Sequence, residues 1–182
     1  MNTRENVWSR SWPWAGTAQF VALLALAVII PNLGMTQLVT GSLVNALLLL
    51  TVLWSGVTPA LLLGMVTPLG AALRGVLPLP LWMMIPFIAM GNALYSATFG
   101  ALRRTNRWLA VGAAAAAKFL LLYGVVTLLV SRPLNLLIGG SAQSVSIPAS
   151  IATMMQWPQL ATALIGGAIA LSINWAVSRN SK

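Results

Sequence analysis

Lys118 stands ten residues into a long apolar run, where a cation is out of place. At 1.5 Å per residue it sits about 15 Å deep, near the middle of a bilayer. A lysine there costs about 2.5 kcal/mol or more on insertion scales unless it is paired or faces a polar cavity. Two roles suit it: an ammonium satisfied by backbone carbonyls or by snorkelling, or a cationic contact for a ligand. Asn92 lies at a comparable depth in the preceding apolar run, about 16 Å from its outer end. Asn45 lies in the outer half of the second run. Both amides suit hydrogen bonds between helices, and the matched depth of Asn92 and Lys118 also suits one shared polar centre. Tyr95, three residues after Asn92, lies on a neighbouring face of the same helix and could line that centre. Arg74, between two apolar runs, is either a loop arginine at headgroup level or a forked donor for a carboxylate or phosphate. Gln156 and Trp157 offer an amide and a stacking surface, although a tryptophan there also suits an interface anchor.

Other chemistry lacks its reagents. The 182 residues include no Cys and no His, and the one carboxylate side chain is Glu5. Metal sites, thiolate nucleophiles, catalytic triads and paired-carboxylate catalysis are therefore not expected, and neither is an enzyme. No cofactor is expected. Intramembrane proton or sodium relays commonly use buried Asp, Glu or His, which weakens the case for a self-sufficient ion-coupled carrier.

The elements that must position these residues are membrane helices. Hydrophobic residues make up 59% of the chain and charged residues 6%. A soluble chain carries about 25% charged residues, so the exterior here faces lipid. The net charge of +9 reads as loop charge that sets topology, and no basic segment with interleaved aromatics points to nucleic acid.

Residues 1–14, with Arg4, Arg10 and three tryptophans, form a basic tail. Spans are expected near 15–30, 39–54, 57–73, 81–102, 108–130 and 158–177. The break in 39–73 falls at Ser55-Gly56, because 35 apolar residues exceed the roughly 20 that one span needs. With six spans and a cytoplasmic N-terminus, seven of the ten basic residues lie inside and only Arg74 and Arg132 outside, in line with the positive-inside rule. The expected fold is a single all-α transmembrane domain of six helices, both termini cytoplasmic. The connection 131–157 is expected to be extracellular, with a short helix near 148–156 that could serve as a lid. Ala15, Ala18, Ala22 and Ala25 form a small-residue stripe on the first span, suited to close helix packing within the chain or against a partner.

Several stretches carry a family likeness: Gly41-Ser42-Leu43-Val44-Asn45-Ala46, Thr67-Pro68-Leu69 through Arg74-Gly75, Pro86-Phe87-Ile88-Ala89-Met90-Gly91-Asn92-Ala93, Lys118-Phe119, and Trp157-Pro158-Gln159-Leu160 through Gly166-Gly167. In these the chain resembles the substrate-binding S components of energy-coupling factor (ECF) transporters, six-helix proteins that capture vitamins and similar micronutrients outside the cell. The resemblance implies docking on a membrane T component, driven by two ATPase subunits, through an Ala-x-x-x-Ala motif that Ala18 and Ala22 match. It also implies a ligand held in the outer half, among the last three helices and under extracellular loops. Release would come from toppling of the whole protein in a bacterial cytoplasmic membrane. Cobalt and nickel members use an N-terminal His, which this chain lacks, so a metal-ion substrate does not fit.

Two other classes compete. A stand-alone carrier predicts internal repeats with broken helices, and no convincing repeat is visible. A scaffold subunit needs no polar residues at matched depths. The chain has no phosphate-binding Gly-x-x-x-x-Gly-Lys-Ser/Thr loop, so ATP chemistry would come from partners. The expected ligand is a small organic molecule, neutral or anionic.

Overall fold

A computed structural model of the chain describes residues 15–73, 79–131, 134–138, 141–145 and 149–180. Seven α-helices are described: α1 Ala15–Ile29, α2 Gln37–Trp54, α3 Val57–Leu73, α4 Ile85–Leu102, α5 Arg107–Ser131, α6 Ala149–Met154 and α7 Trp157–Asn180. Short 3-10 turns, Ile30–Leu33 and Leu79–Met84, follow α1 and lead into α4.

Five helical segments are long and apolar enough to cross a bilayer: Gly16–Leu33, Gln37–Trp54, Trp82–Leu102, Arg107–Val130 and Ala152–Asn180. The protein is a multi-pass membrane protein by that measure. The apolar helix α3 has 17 residues and rises about 25 Å, short of a hydrocarbon core of about 30 Å.

The bundle is helical throughout, but the connection after α5 holds more than the one short helix expected. Leu134–Ile138 (β1) and Ser141–Val145 (β2) pair antiparallel, from Leu134 opposite Val145 to Ile138 opposite Ser141. The two residues between the strands are Gly139-Gly140, and a two-residue Gly-Gly connection favours a tight hairpin. The expectation of a loop with one short helix is corrected to that extent.

The bundle is built with its apolar surface outward. On α5, Leu109, Leu120 and Leu128 are 65–70% exposed, whereas Lys118 is 3% exposed. Lipid in place of water reverses the usual rule: apolar side chains cover the exterior, and polar ones must find partners inside. Small residues fill the interior and bring the helices close. Ala110, Ala114 and Ala115 of α5 and Ala163 and Ala170 of α7 are fully buried. A Cβ on Gly167 would lie 2.3 Å from Val111 Cγ1, so only glycine lets α7 lie this close to α5. At the turn from α2 to α3, Thr51 O accepts the N–H groups of Ser55 at 2.8 Å and Gly56 at 3.0 Å. Gly56 has φ +100°, a backbone region that side chains disfavour.

At the outer end of the bundle, as the expected topology orients it, a separate apolar layer joins Met84, Leu122, Val126, Ala152 and Met155. Its members come from the turn before α4, from α5, and from α6 and the turn after it.

Candidate functional site

Two buried amide side chains, Asn45 and Asn92, converge on Lys118. It lies eleven residues from the start of α5 and thirteen from its end, on the face turned into the bundle, whereas Leu120 at nearly the same depth is exposed. Its Nζ donates to Asn45 Oδ1 of α2 at 2.7 Å and to Asn92 Oδ1 of α4 at 2.8 Å. The same ammonium lies 5.6 Å from the centroid of the Tyr95 ring, within range of a cation–π attraction. Asn45 and Asn92 are 1% and 2% exposed and Tyr95 is fully buried. Four of the residues singled out in the sequence thus meet in one cluster.

The remaining polar atoms of the cluster are satisfied by helices the sequence did not assign to it. Asn45 Nδ2 donates to Thr162 Oγ1 of α7 at 3.4 Å, and Thr162 Oγ1 donates to Gln159 O at 3.1 Å. Tyr95 donates its hydroxyl to Ala163 O, also of α7, at 2.7 Å. Asn92 Nδ2 donates to Gly64 O of α3 at 3.1 Å. That last bond has a cause in the sequence. Pro68 lies inside α3, four residues after Gly64, and proline has no N–H to close the helical bond to that carbonyl. Asn92 fills the vacancy from the neighbouring helix. Thr162 and the freed Gly64 carbonyl were missed; the proline was a visible signal for the second.

Close backbone approach holds α2 against α7 at this level. A Cβ on Gly166 would lie 2.5 Å from Ser42 O, 2.6 Å from Asn45 Cβ and 2.9 Å from Ala46 N. On the other side of Asn45, Gly41 leaves just enough room for Thr162, whose Cγ2 would lie 3.0 Å from an added Cβ. The glycines therefore set the spacing across which Asn45 reaches Thr162.

Chemically, the cluster is a lysine amine whose acceptors are neutral. Its Nζ donates to two amide oxygens, and an aromatic face lies beside it. The only carboxylate side chain in the chain is Glu5, far from α5 in sequence. The amine is held at mid-bundle without a carboxylate against it among the described residues.

The other expected residues lie elsewhere. Trp157 is 65% exposed, and its ring packs 4.9 Å from that of Phe119, which in turn lies 5.4 Å from Tyr123. Gln156 lines a groove of about 340 Å³ with Thr127, Val130, Ala149, Ala152 and Thr153. The apolar layer of Met84, Leu122, Val126 and Met155 lies between that groove and the Lys118 cluster, because Leu122 and Val126 follow Lys118 by one and two turns of α5. Gln37 Nε2 ties the end of α6 down by donating to Met154 O at 2.8 Å. Arg74 lies outside the described residues. Ala18 and Ala22 are exposed on α1.

Compared with known proteins, the chain matches no family model, no curated protein and no solved structure.

Proposed function

We propose that this chain is the substrate-capturing S component of an ECF-type importer and binds a small neutral or anionic organic molecule. The observation that carries the reading is the buried Lys118 amine, held at mid-bundle by Asn45 and Asn92 with no carboxylate against it among the described residues. A ligand carboxylate or phosphate supplies the missing anion through charge-assisted hydrogen bonds. Asn92, Asn45 and Tyr95 line its place, Gln156 and Trp157 lie at its entrance, and Arg74 keeps the role of a forked donor that its sequence position suggests.

The remaining parts of the proposal follow from the charge pattern and the resemblance. All six apolar helices span, with both termini in the cytoplasm of a bacterial cell. The exposed Ala18–Ala22 face of α1 meets a T component, and two ATPase subunits provide the energy. In this reading the protein performs no chemistry of its own.

One observation favours a second reading. The Lys118 cluster is closed on itself, with each Asn side chain hydrogen-bonded through both its oxygen and its nitrogen, as a scaffold subunit would need for stability alone. Affinity isolation of the full chain from its native membrane in mild detergent separates the two. Recovery of two ATPases and a second membrane protein supports the importer; recovery of the chain with neither supports the scaffold.

A further inference from the structure

The turn between α4 and α5 carries a charge cluster that the buried centre does not use. Residues 103–107 read Arg-Arg-Thr-Asn-Arg, and the chain has no acid except Glu5. Arg103 is engaged: its Nη1 donates to Val52 O near the end of α2 at 2.6 Å. Burial, and then repulsion from Arg104 and Arg107, hold its pKa below the ordinary arginine value. Arg104 and Arg107 are exposed and form no ion pair among the described residues.

Asn106 Oδ1 accepts the N–H groups of Trp108 at 2.9 Å and Leu109 at 3.1 Å, which caps the first turn of α5 from within. The charged groups that face a ligand here are the guanidiniums of Arg104 and Arg107. Beside them stand exposed apolar side chains: Leu102 at 42%, Trp108 at 63% and Leu109 at 70%. Paired cations bordered by a tryptophan and two leucines match a molecule with phosphate at one end and hydrocarbon at the other.

We propose that the α4–α5 turn is a binding site for an anionic phospholipid, with Arg104 and Arg107 holding the headgroup and Leu102, Trp108 and Leu109 lying along the glycerol and acyl chains. Inorganic phosphate would satisfy the guanidiniums but leave the three apolar side chains uncovered. A zwitterionic lipid brings a cation to a place that already holds three. The site does not depend on the transporter reading.

The test uses the full chain in phosphatidylcholine nanodiscs, with phosphatidylglycerol titrated in and bound lipid counted by native mass spectrometry. Phosphatidylglycerol is expected to be retained over phosphatidylcholine. The double variant Arg104→Gln/Arg107→Gln should weaken that retention about thirtyfold, from roughly fivefold for each arginine near an anionic surface. Arg179→Gln is the control, because that arginine lies over the Trp175 ring at the end of α7, 5.4 Å from its centroid; it should leave retention unchanged. Equal retention of the two lipids would overturn the proposal. So would an equal loss in Arg179→Gln, which would show net charge acting without a site. Displacement of the lipid by inorganic phosphate at matching concentration would show an anion site that ignores the chains.

Discussion

Gly166→Ala adds one methyl group where α7 meets α2, and its effect follows from the geometry. The new Cβ would lie 2.5 Å from Ser42 O, 2.6 Å from Asn45 Cβ and 2.9 Å from Ala46 N. Comfortable carbon contacts lie at about 3.5–4.0 Å, so α7 must retreat from α2 by roughly 1 Å. None of the three atoms is the end of a flexible side chain, so the helices themselves have to move. The Asn45–Thr162 bond is already long at 3.4 Å and does not survive that retreat. Overpacking of this kind costs about 1–3 kcal/mol, and a buried amide left without its acceptor adds about 1–3 kcal/mol. The expected loss is therefore about 2–6 kcal/mol, a large part of a typical stability. Gly112→Ala is the matched control, since nothing lies within 4 Å of a Cβ there. Thermal unfolding of both variants in the same detergent provides the comparison. Gly112→Ala should unfold like the parent and Gly166→Ala well below it; equal midpoints would refute the close α2–α7 approach and the role given to Gly166.

Three further outcomes are expected. Pro68→Ala restores an N–H that can donate to Gly64 O, so the bond from Asn92 becomes redundant; Asn92→Leu should then destabilise the Pro68→Ala protein less than the parent, by about 0.5–3 kcal/mol of coupling, and additive effects would break the link. Replacing Ala18 and Ala22 together by Leu should abolish recovery of the T component and ATPases while ligand binding is retained, and intact assembly would exclude that face as the interface. Reporter fusions at residue 182 and within 103–107 should read cytoplasmic and one within 139–146 external; an external C-terminus would overturn the six-span topology.

The apolar runs of this chain were legible as membrane helices because lipid imposes length and composition together. Depth was legible too: counting residues along each run placed Asn92 and Lys118 at one level, and their side chains meet. Adjacency between helices was not. Thr162 is one of many threonines by sequence, and its place beside Asn45 depends on the contact of α7 with α2 at Gly166. Gly64 gave no sign of a free carbonyl until Pro68 was considered as a missing donor four residues on. The strand pair 134–138 and 141–145 is hard to read because Leu134-Asn135-Leu136-Leu137-Ile138 lacks clean alternation, although Gly-Gly between two runs is a turn signal in sequence. Trp157 is an outward-facing ring against Phe119, a position that residue type alone does not reveal.

Ligand capture at Lys118 is tested most directly by identifying the small molecules that co-purify with the chain and measuring their affinity for three proteins: the parent, Lys118→Met and Asn92→Asp. A neutral or anionic organic molecule is expected. Lys118→Met should weaken its binding by roughly ten- to a hundredfold, the value of a hydrogen bond to a charged group. Asn92→Asp places a carboxylate where the ammonium now finds an amide oxygen at 2.8 Å, so an anionic ligand should lose affinity there as well. A cationic ligand, or one whose affinity rises in Asn92→Asp, would contradict the account. Unchanged affinity in Lys118→Met together with lower thermal stability would make the lysine a structural tie between helices and nothing more.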